Sequence, residues 1–242
     1  MMKAKSFFSA LIVLVILGII VAFAYLDSTA ILLEDEINRQ ERLTDQAYDE
    51  LVEKLEADTT EYEYTVLINP AMSGITLNNT ANGISDAEVV LAIARNIREL
   101  NIDESMRVVL TRDSDTNPSE ERRQAIADMV NPDIIISLET NYDEDVSKLG
   151  VSVRYDDTFY NYKLTNADLA DAILRSVVSH TGTKAEGLYS GYKSIFASNI
   201  PTVTVEVGYF SNREEQQALN SDAYRENMAL GILEGIQSVR NE

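Results

Sequence analysis

The chain of 242 residues contains no cysteine and a single histidine, His180. Without cysteine it can form neither a disulfide nor a cysteine-linked lipid anchor, so an exported form would depend on its hydrophobic core for stability. One histidine also excludes, within a monomer, any metal site that needs two imidazole ligands. His180 follows a predicted helix, where a cation is favourable, and this position predicts an ordinary helix-end residue.

Basic residues are also scarce, with 20 Lys and Arg against 40 Asp and Glu and a formal net charge of −20 at pH 7. Nucleic acids and anionic lipids are bound mainly through Lys and Arg, so this balance predicts no nucleic-acid partner. The acidic excess is otherwise typical of a solvated surface and supports no catalytic conclusion.

Residues 6–26 carry no charge and read SFFSALIVLVILGIIVAFAYL. About 20 apolar residues are enough for a helix to cross a bilayer. Lysines precede this run and acids follow it, which predicts a cytoplasmic N-terminus and an extracytoplasmic domain. The alternative is a cleaved signal peptide, because Ala22-Phe23-Ala24 resembles a cleavage site, but the length of the run favours an uncleaved anchor over residues 1–26. The sequence thus predicts a single-pass protein of the cell membrane.

Residues 27–62 are acidic and contain neither glycine nor proline. Ile37, Tyr48, Leu51 and Leu55 recur at near-helical spacing, which predicts a helical stem. The apolar positions are too irregular for the sustained heptads of a coiled coil. A spacer is therefore favoured, and self-association through the stem is the alternative.

Residues 63–242 alternate strand and helix patterns. Runs rich in β-formers occupy residues 64–69, 107–112, 133–139, 151–155 and 202–207, and helical patterns occupy residues 86–100, 119–129, 164–179 and 223–239. Strands separated by helices predict one α/β domain, with a mostly parallel sheet covered by helices on both faces.

Glu206 lies inside an otherwise apolar strand, and ligands of such sheets usually sit at the carboxyl ends of the strands. A buried carboxylate is costly unless it is paired, protonated or bound to a metal. Glu206 is therefore a candidate functional residue, and a structural glutamate held by an arginine or lysine is the alternative.

Around Glu206 the chain resembles the zinc-dependent N-acetylmuramoyl-L-alanine amidases, which are cell-wall hydrolases. The family's closing Val-Glu-x-Gly-Phe-x-Ser-Asn motif reads Val205-Glu206-Val207-Gly208-Tyr209-Phe210-Ser211-Asn212, and its Val-Val-Leu-Thr-Arg-Asp run is matched by residues 108–113. The family's Ser-x-His-Ala-Asn becomes Ser137-Leu138-Glu139-Thr140-Asn141, and its Asp-Pro-Gly-His-Gly-Gly becomes residues 69–74. The resemblance implies the amidase fold and a cell-wall context.

The chain departs from the family pattern at the positions that hold the family's metal ligands. The resemblance places Met72 and Glu139 where the family has histidine ligands, and Asp86 where it has a glutamate ligand. Glu206 keeps the type of the family's general acid/base. In the family, zinc polarises the amide carbonyl and activates water. Methionine is a poor zinc ligand, so the resemblance implies that zinc is lost and that Glu206 is vestigial.

Three arrangements could replace the metal beside Asp86, Glu139 and Glu206, which we expect to converge. One carboxyl could stay protonated, Arg154 or Lys193 could act as counter-ion, or Ca²⁺ or Mg²⁺ could bind an all-oxygen site. No spacing resembles a calcium loop, so the first two are favoured and no cofactor is expected.

The leading hypothesis is a membrane-anchored, catalytically inactive amidase-like domain that binds peptidoglycan or regulates cell-wall proteins. The alternative is an active peptidoglycan amidase that uses a carboxylate metal site. Several aromatic residues could form a surface on which sugar rings stack, a glycan platform, although packing within the protein is the simpler explanation. They are Tyr142, Tyr155, Phe159, Tyr160, Tyr162, Tyr189 and Tyr192.

Overall fold

The chain divides into two compact units, Met1–Gln46 and Ala47–Glu242. The computed structural model describes residues 2–240 apart from residues 72–79, 82–83, 158–163 and 198, and it describes the backbone alone for residues 2–25, 27–28 and 80–81.

The first helix, α1, runs over Met2–Ala57. The apolar run at residues 6–26 falls, except for Leu26, in the part of α1 whose side chains lie outside the described residues. Among the side chains that are described, no helix offers an apolar stretch long enough to cross a bilayer. The membrane anchor therefore stays a prediction from the sequence.

The second unit is built on a six-stranded sheet with the strand order β4-β1-β5-β8-β6-β7. Neighbouring strands are parallel except β6 and β8, which are antiparallel. The sheet strands are β1 (Tyr64–Pro70), β4 (Met106–Leu110), β5 (Ile134–Asn141), β6 (Val151–Tyr155), β7 (Ala185–Tyr189) and β8 (Thr202–Tyr209), and β2 (Thr80–Ala81) and β3 (Ile84–Ser85) form a separate pair. The helices are α2 (Asp86–Leu100), α3 (Glu120–Val130), α4 (Asn166–Thr181), α5 (Arg213–Leu219) and α6 (Asp222–Arg240).

Helices cover both faces of the sheet, as the sequence predicts. Alternate residues of β1 point to opposite faces, so Val66 and Ile68 join the larger core against α2, α4 and α6. Leu67 joins a smaller core on the other face, with Ile126 of α3 and Phe196 of the segment before β8. The fold is thus a mostly parallel α/β sandwich.

The last turns of α1 belong to the second compact unit, which begins at Ala47. Tyr48, Leu51 and Leu55 pack against the smaller core, so these stem positions serve as cover for the sheet. The connection to β1 is tied down by Arg107, whose guanidinium lies 2.9 Å from the carboxylate of Asp58. The apolar spacing of these three residues therefore reflects packing against the domain, whereas Ile37 is exposed.

Helices α4 and α6 approach each other unusually closely because α6 carries two glycines at the contact. A Cβ atom on Gly231 would lie 2.6 Å from the Cα atom of Val177, and one on Gly235 would lie 2.8 Å from the Cα atom of Ile173. These distances leave no room for a methyl group without movement of a backbone.

Candidate functional site

The site lies where β5 and β8 run side by side. Glu139 and Glu206 are register partners on these neighbouring strands, so their side chains emerge on the same face of the sheet. Glu206 is buried, with 6% of its surface exposed, and Glu139 is half-buried. The structure therefore brings two of the predicted site residues together.

Other side chains of the same chain form an ion pair and hydrogen bonds with Glu206. The Nε atom of Arg154 lies 2.7 Å from Oε1 of Glu206, which is an ion-pair distance, although its N–H is not aligned for a hydrogen bond. Asn141 Nδ2 donates to Oε2 of Glu206 at 3.0 Å, and the hydroxyl of Ser152 donates to the same oxygen. Both carboxylate oxygens are engaged, so the cost of burying this charge is largely offset.

The antiparallel pairing of β6 and β8 supplies this arrangement. Ser152 is paired with Glu206 and Arg154 with Thr204, so both β6 side chains share the face of Glu206. Of the two predicted counter-ions, the structure thus selects Arg154. Lys193 lines the same neighbouring groove as Arg154 but forms no ion pair with the residues that the structure describes.

The pKa of Glu139 lies above its ordinary value. Burial raises the pKa of Glu139, and the nearby carboxylate of Glu206 raises it further, while Arg154 and a hydrogen bond from Tyr192 act in the opposite direction. The ring of Tyr192 lies 5.8 Å from the guanidinium carbon of Arg154, which permits a cation–π contact. Burial and Glu139 also raise the pKa of Tyr192, so the phenol stays protonated at neutral pH.

We expect Glu139→Gln to stabilise the protein at neutral pH. Because the folded state raises the pKa of Glu139 above its ordinary 4.5, the contribution of this group is most favourable below that value and is lost as the pH rises through the folded pKa. The gain in the free energy of unfolding should be on the order of 1 kcal/mol at pH 8 and vanish near pH 4. Urea denaturation across this pH range measures it, with the exposed Glu144→Gln as control; a destabilised Glu139→Gln protein would contradict the prediction.

Asp86 is the first residue of α2. It is buried, and its Oδ1 accepts a hydrogen bond from the amide of Ala87 at 2.7 Å. A capping box formed by Ser85 and Glu88 fixes this turn. Within the described ranges, no three His, Cys, Asp or Glu side chains are grouped closely enough to hold a metal ion. The expected convergence of all three carboxylates is therefore not found, and Met72 lies outside the described residues.

Two buried arginines support the end of β1, and one of them, Arg112, belongs to the run at residues 108–113 that matches the family pattern. Arg112 is 2% exposed and donates to the carbonyls of Pro70 and Ala87, so it ties the β1 end to the first turn of α2. Arg123 donates to Asn69 Oδ1 at 2.5 Å. Burial lowers the pKa of Arg112 to about 10, with the charge of Arg123 contributing, and burial lowers the pKa of Arg123 to about 10. Arg112 ends the strand predicted at residues 107–112, whereas Arg123 lies within the helix predicted at residues 119–129.

The structure also places other residues that the sequence analysis named. His180 lies in the last turn of α4 and its Nε2 is 2.5 Å from Glu234, so it is a helix-end residue as predicted. Of the aromatic residues, Tyr142 and Tyr189 are exposed, and Tyr155 packs against the larger core. Phe159, Tyr160 and Tyr162 lie outside the described residues, and the glycan platform stays a prediction.

The fold and the site residues define an amidase-type α/β domain. Residues 66–238 match the model of the family described as N-acetylmuramoyl-L-alanine amidase, and because the match covers more than half of the chain, the chain belongs to this family.

Curated relatives agree with this assignment. The amidase CwlM of Mycobacterium tuberculosis is 27% identical over 178 residues, which cover 71% of this chain and 44% of CwlM. The amidase LytC of Bacillus subtilis is 28% identical over 177 residues, which cover 72% of this chain and 35% of LytC. The chain thus spans less than half the length of these two relatives.

Solved structures share the fold. The amidase AmiC2 of Nostoc punctiforme has a TM-score of 0.67 at 24% identity, covering 76% of this chain and all of AmiC2. The amidase CwlD of Clostridioides difficile, solved in complex with the GerS lipoprotein, has a TM-score of 0.63 at 23% identity, covering 74% of this chain and 99% of CwlD.

The described residues do not fit the zinc ion that the family implies. Hydrolytic zinc sites use three protein ligands, commonly with at least one or two histidines, and leave one position open for water. Here the strand ends bring together two carboxylates, and a guanidinium stands 2.7 Å from one of them. A cation bound to Oε1 of Glu206 would have to displace that guanidinium.

Proposed function

We propose that this chain is a membrane-anchored, extracytoplasmic pseudo-amidase that binds peptidoglycan or regulates a cell-wall protein without hydrolysing the wall. Family membership supports the wall context. The anchor and the location rest on the apolar run at residues 6–26 and the lysines before it.

The observation that carries this proposal is the ion pair between Arg154 and Glu206. A general base must be free to take a proton from the attacking water. Glu206 instead accepts hydrogen bonds from Ser152 and Asn141 and lies 2.7 Å from the guanidinium of Arg154, so both of its carboxylate oxygens are already engaged by the chain. The arrangement balances the charge of a retained family residue but leaves little capacity for catalysis.

Contact with a protein partner has a precedent in a domain of this fold. CwlD was solved in complex with the GerS lipoprotein, so at least one amidase domain of this fold is found with a protein partner. An inactive domain that retains the fold could act by the same kind of contact.

The test is metal content together with wall hydrolysis, measured on the full chain purified in detergent. After dialysis against zinc, calcium and magnesium, we expect less than about a tenth of an equivalent of each metal. Release of muropeptides from purified sacculi should equal that of a blank, while the chain cosediments with the sacculi.

The proposal would be wrong if the chain bound nearly stoichiometric metal and released muropeptides. In that case the metal should be lost in Glu139→Ala and kept in Glu144→Ala. The chain would then be an active amidase with a carboxylate metal site.

A further inference from the structure

Strand β4 forms one edge of the six-stranded sheet and pairs on one side only, with β1. The amide of Thr111, directly after β4, donates to the carbonyl of Ile68 in β1. Because peptide groups alternate in direction along a strand, those of Val108 and Leu110 face away from β1. Each of these two residues therefore presents an N–H and a C=O at the outer edge of the sheet.

This outer edge is closed at the start of β4 and open further along. The amide of Met106 donates to the carbonyl of Asp103 at 3.0 Å, and the carbonyl of Met106 accepts from Nδ2 of Asn101 at 2.8 Å. Among the residues that the structure describes, no corresponding hydrogen bond engages the outer groups of Val108 or Leu110. An edge with unpaired peptide groups is a template for a further strand.

A groove of about 350 Å³ runs along the open part of this edge and is lined by residues 107–110 of β4. Helix α1 supplies one wall through Tyr48, Leu51 and Leu55, and α2 contributes Arg98. These α1 residues pack on the smaller core and α2 packs on the larger core, so the two helices flank opposite faces of the sheet. The groove therefore leaves a space for a strand in the plane of the sheet.

The lining of this groove is more basic than the chain as a whole. In a chain of net charge −20, it has four cationic and two acidic side chains. They are Lys54, Arg98, Arg107, Arg112, Glu50 and Asp113. Arg98 lies 2.8 Å from Asp113, and Arg107 lies 2.9 Å from Asp58. Lys54 is exposed and forms no ion pair with the residues that the structure describes.

The charge of this lining decides between two kinds of occupant. Pairing of β4 with β4 of a second copy would bring two basic linings together, and like charges across an interface are unfavourable. An acidic strand from a different protein would instead meet the exposed ammonium group of Lys54 with opposite charge. Charge complementarity therefore favours an acidic partner over a second copy.

We propose that the outer edge of β4 binds an extended segment of a protein partner, which joins the sheet as a further strand and carries alternating acidic and apolar residues. The peptide groups of Val108 and Leu110 would supply the main-chain hydrogen bonds. Strands β1 and β5 separate β4 from β8 in the sheet, so this surface is distinct from the pair of Glu139 and Glu206. The inference therefore does not depend on whether the domain hydrolyses the wall.

The experiment uses the full chain in detergent and the fluorescent heptapeptide Ser-Glu-Val-Glu-Val-Glu-Ser. A second form of this peptide is N-methylated at its three central residues, so it cannot pair as a strand. Fluorescence anisotropy should show the unmodified peptide binding at least about tenfold more tightly than the methylated one. Hydrogen exchange measured by mass spectrometry should slow at residues 107–111 with the unmodified peptide only.

Two variants locate the binding surface. Lys54→Glu should weaken binding of the unmodified peptide by at least about threefold, since an attraction becomes a repulsion. Lys184→Glu, on an exposed lysine outside the groove, is the matched control and should bind as the parent does. Val108→Pro removes an outward N–H, which an edge strand tolerates, and it should abolish binding while near-ultraviolet circular dichroism stays unchanged.

The inference is overturned if neither peptide binds, if both bind equally, or if a peptide with lysine in place of glutamate binds as tightly. Light scattering tests the other occupant. A dimer that becomes a monomer in Val108→Pro would assign the edge to a second copy of the chain and exclude the acidic partner. Muropeptide release, measured separately, tests the pseudo-amidase proposal and leaves the assignment of this edge unchanged.

Discussion

Replacing Arg154 with methionine should lower the free energy of unfolding by about 2 kcal/mol at pH 7. The substitution leaves Glu206, which is 6% exposed, with Ser152 and Asn141 but no cation. Loss of one partner from a fully buried ion pair costs about 3–5 kcal/mol, and the smaller figure reflects the 38% exposure of the Arg154 side chain.

A double-mutant cycle with Glu206→Gln checks the physical cause. In the Glu206→Gln background, Arg154→Met should cost less than about 0.5 kcal/mol, because no charge is then left unpaired. The ion pair between Arg175 and Asp171 on α4 is the control, since both side chains are largely exposed and Arg175→Met should be close to neutral. Equal costs of Arg154→Met in the two backgrounds would show that Arg154 contributes by packing alone.

Replacing Gly231 with alanine should destabilise the domain by about 2–3 kcal/mol. An alanine in a helix is normally favoured over glycine by about 1 kcal/mol, but here the new Cβ would meet the Cα atom of Val177 at 2.6 Å and the carbonyl oxygen of Ser176 at 3.0 Å. Both contacts are with backbone, so no side-chain rotation relieves them, and α4 and α6 must move apart.

Urea denaturation followed by tyrosine near-ultraviolet circular dichroism measures this cost. Gly235→Ala should behave similarly, because its Cβ would lie 2.8 Å from the Cα atom of Ile173. Ser238→Ala on the same helix serves as the control and should change stability by less than about 0.5 kcal/mol. A Gly231→Ala protein as stable as the parent would mean that the two helices adjust freely.

The sequence predicted most of the sheet because buried parallel strands leave apolar runs. The runs at residues 64–69, 133–139 and 202–207 correspond to β1, β5 and β8. Strand β7 was missed, because it is a short edge strand whose residues are largely exposed and include a glycine, so it carries no apolar pattern. Helix α5 was missed because its seven residues are too few to show helical periodicity.

The sequence indicated some of the residues that form the site, but it did not indicate how they contact one another. Glu206 stood out because a carboxylate interrupts an apolar strand, and Arg154 was one of two proposed counter-ions. The roles of Ser152 and Asn141 depend on the antiparallel pairing of β6 with β8 and on the end of β5. Those contacts join residues more than fifty positions apart, so no local pattern in the sequence encodes them.

The guanidinium beside Glu206 belongs to Arg154 and is therefore part of the polypeptide itself. The positive charge that faces Glu206 is supplied as soon as the domain folds, and it needs no ion from the medium. This ion pair should therefore persist unchanged when metal ions are removed by a chelator.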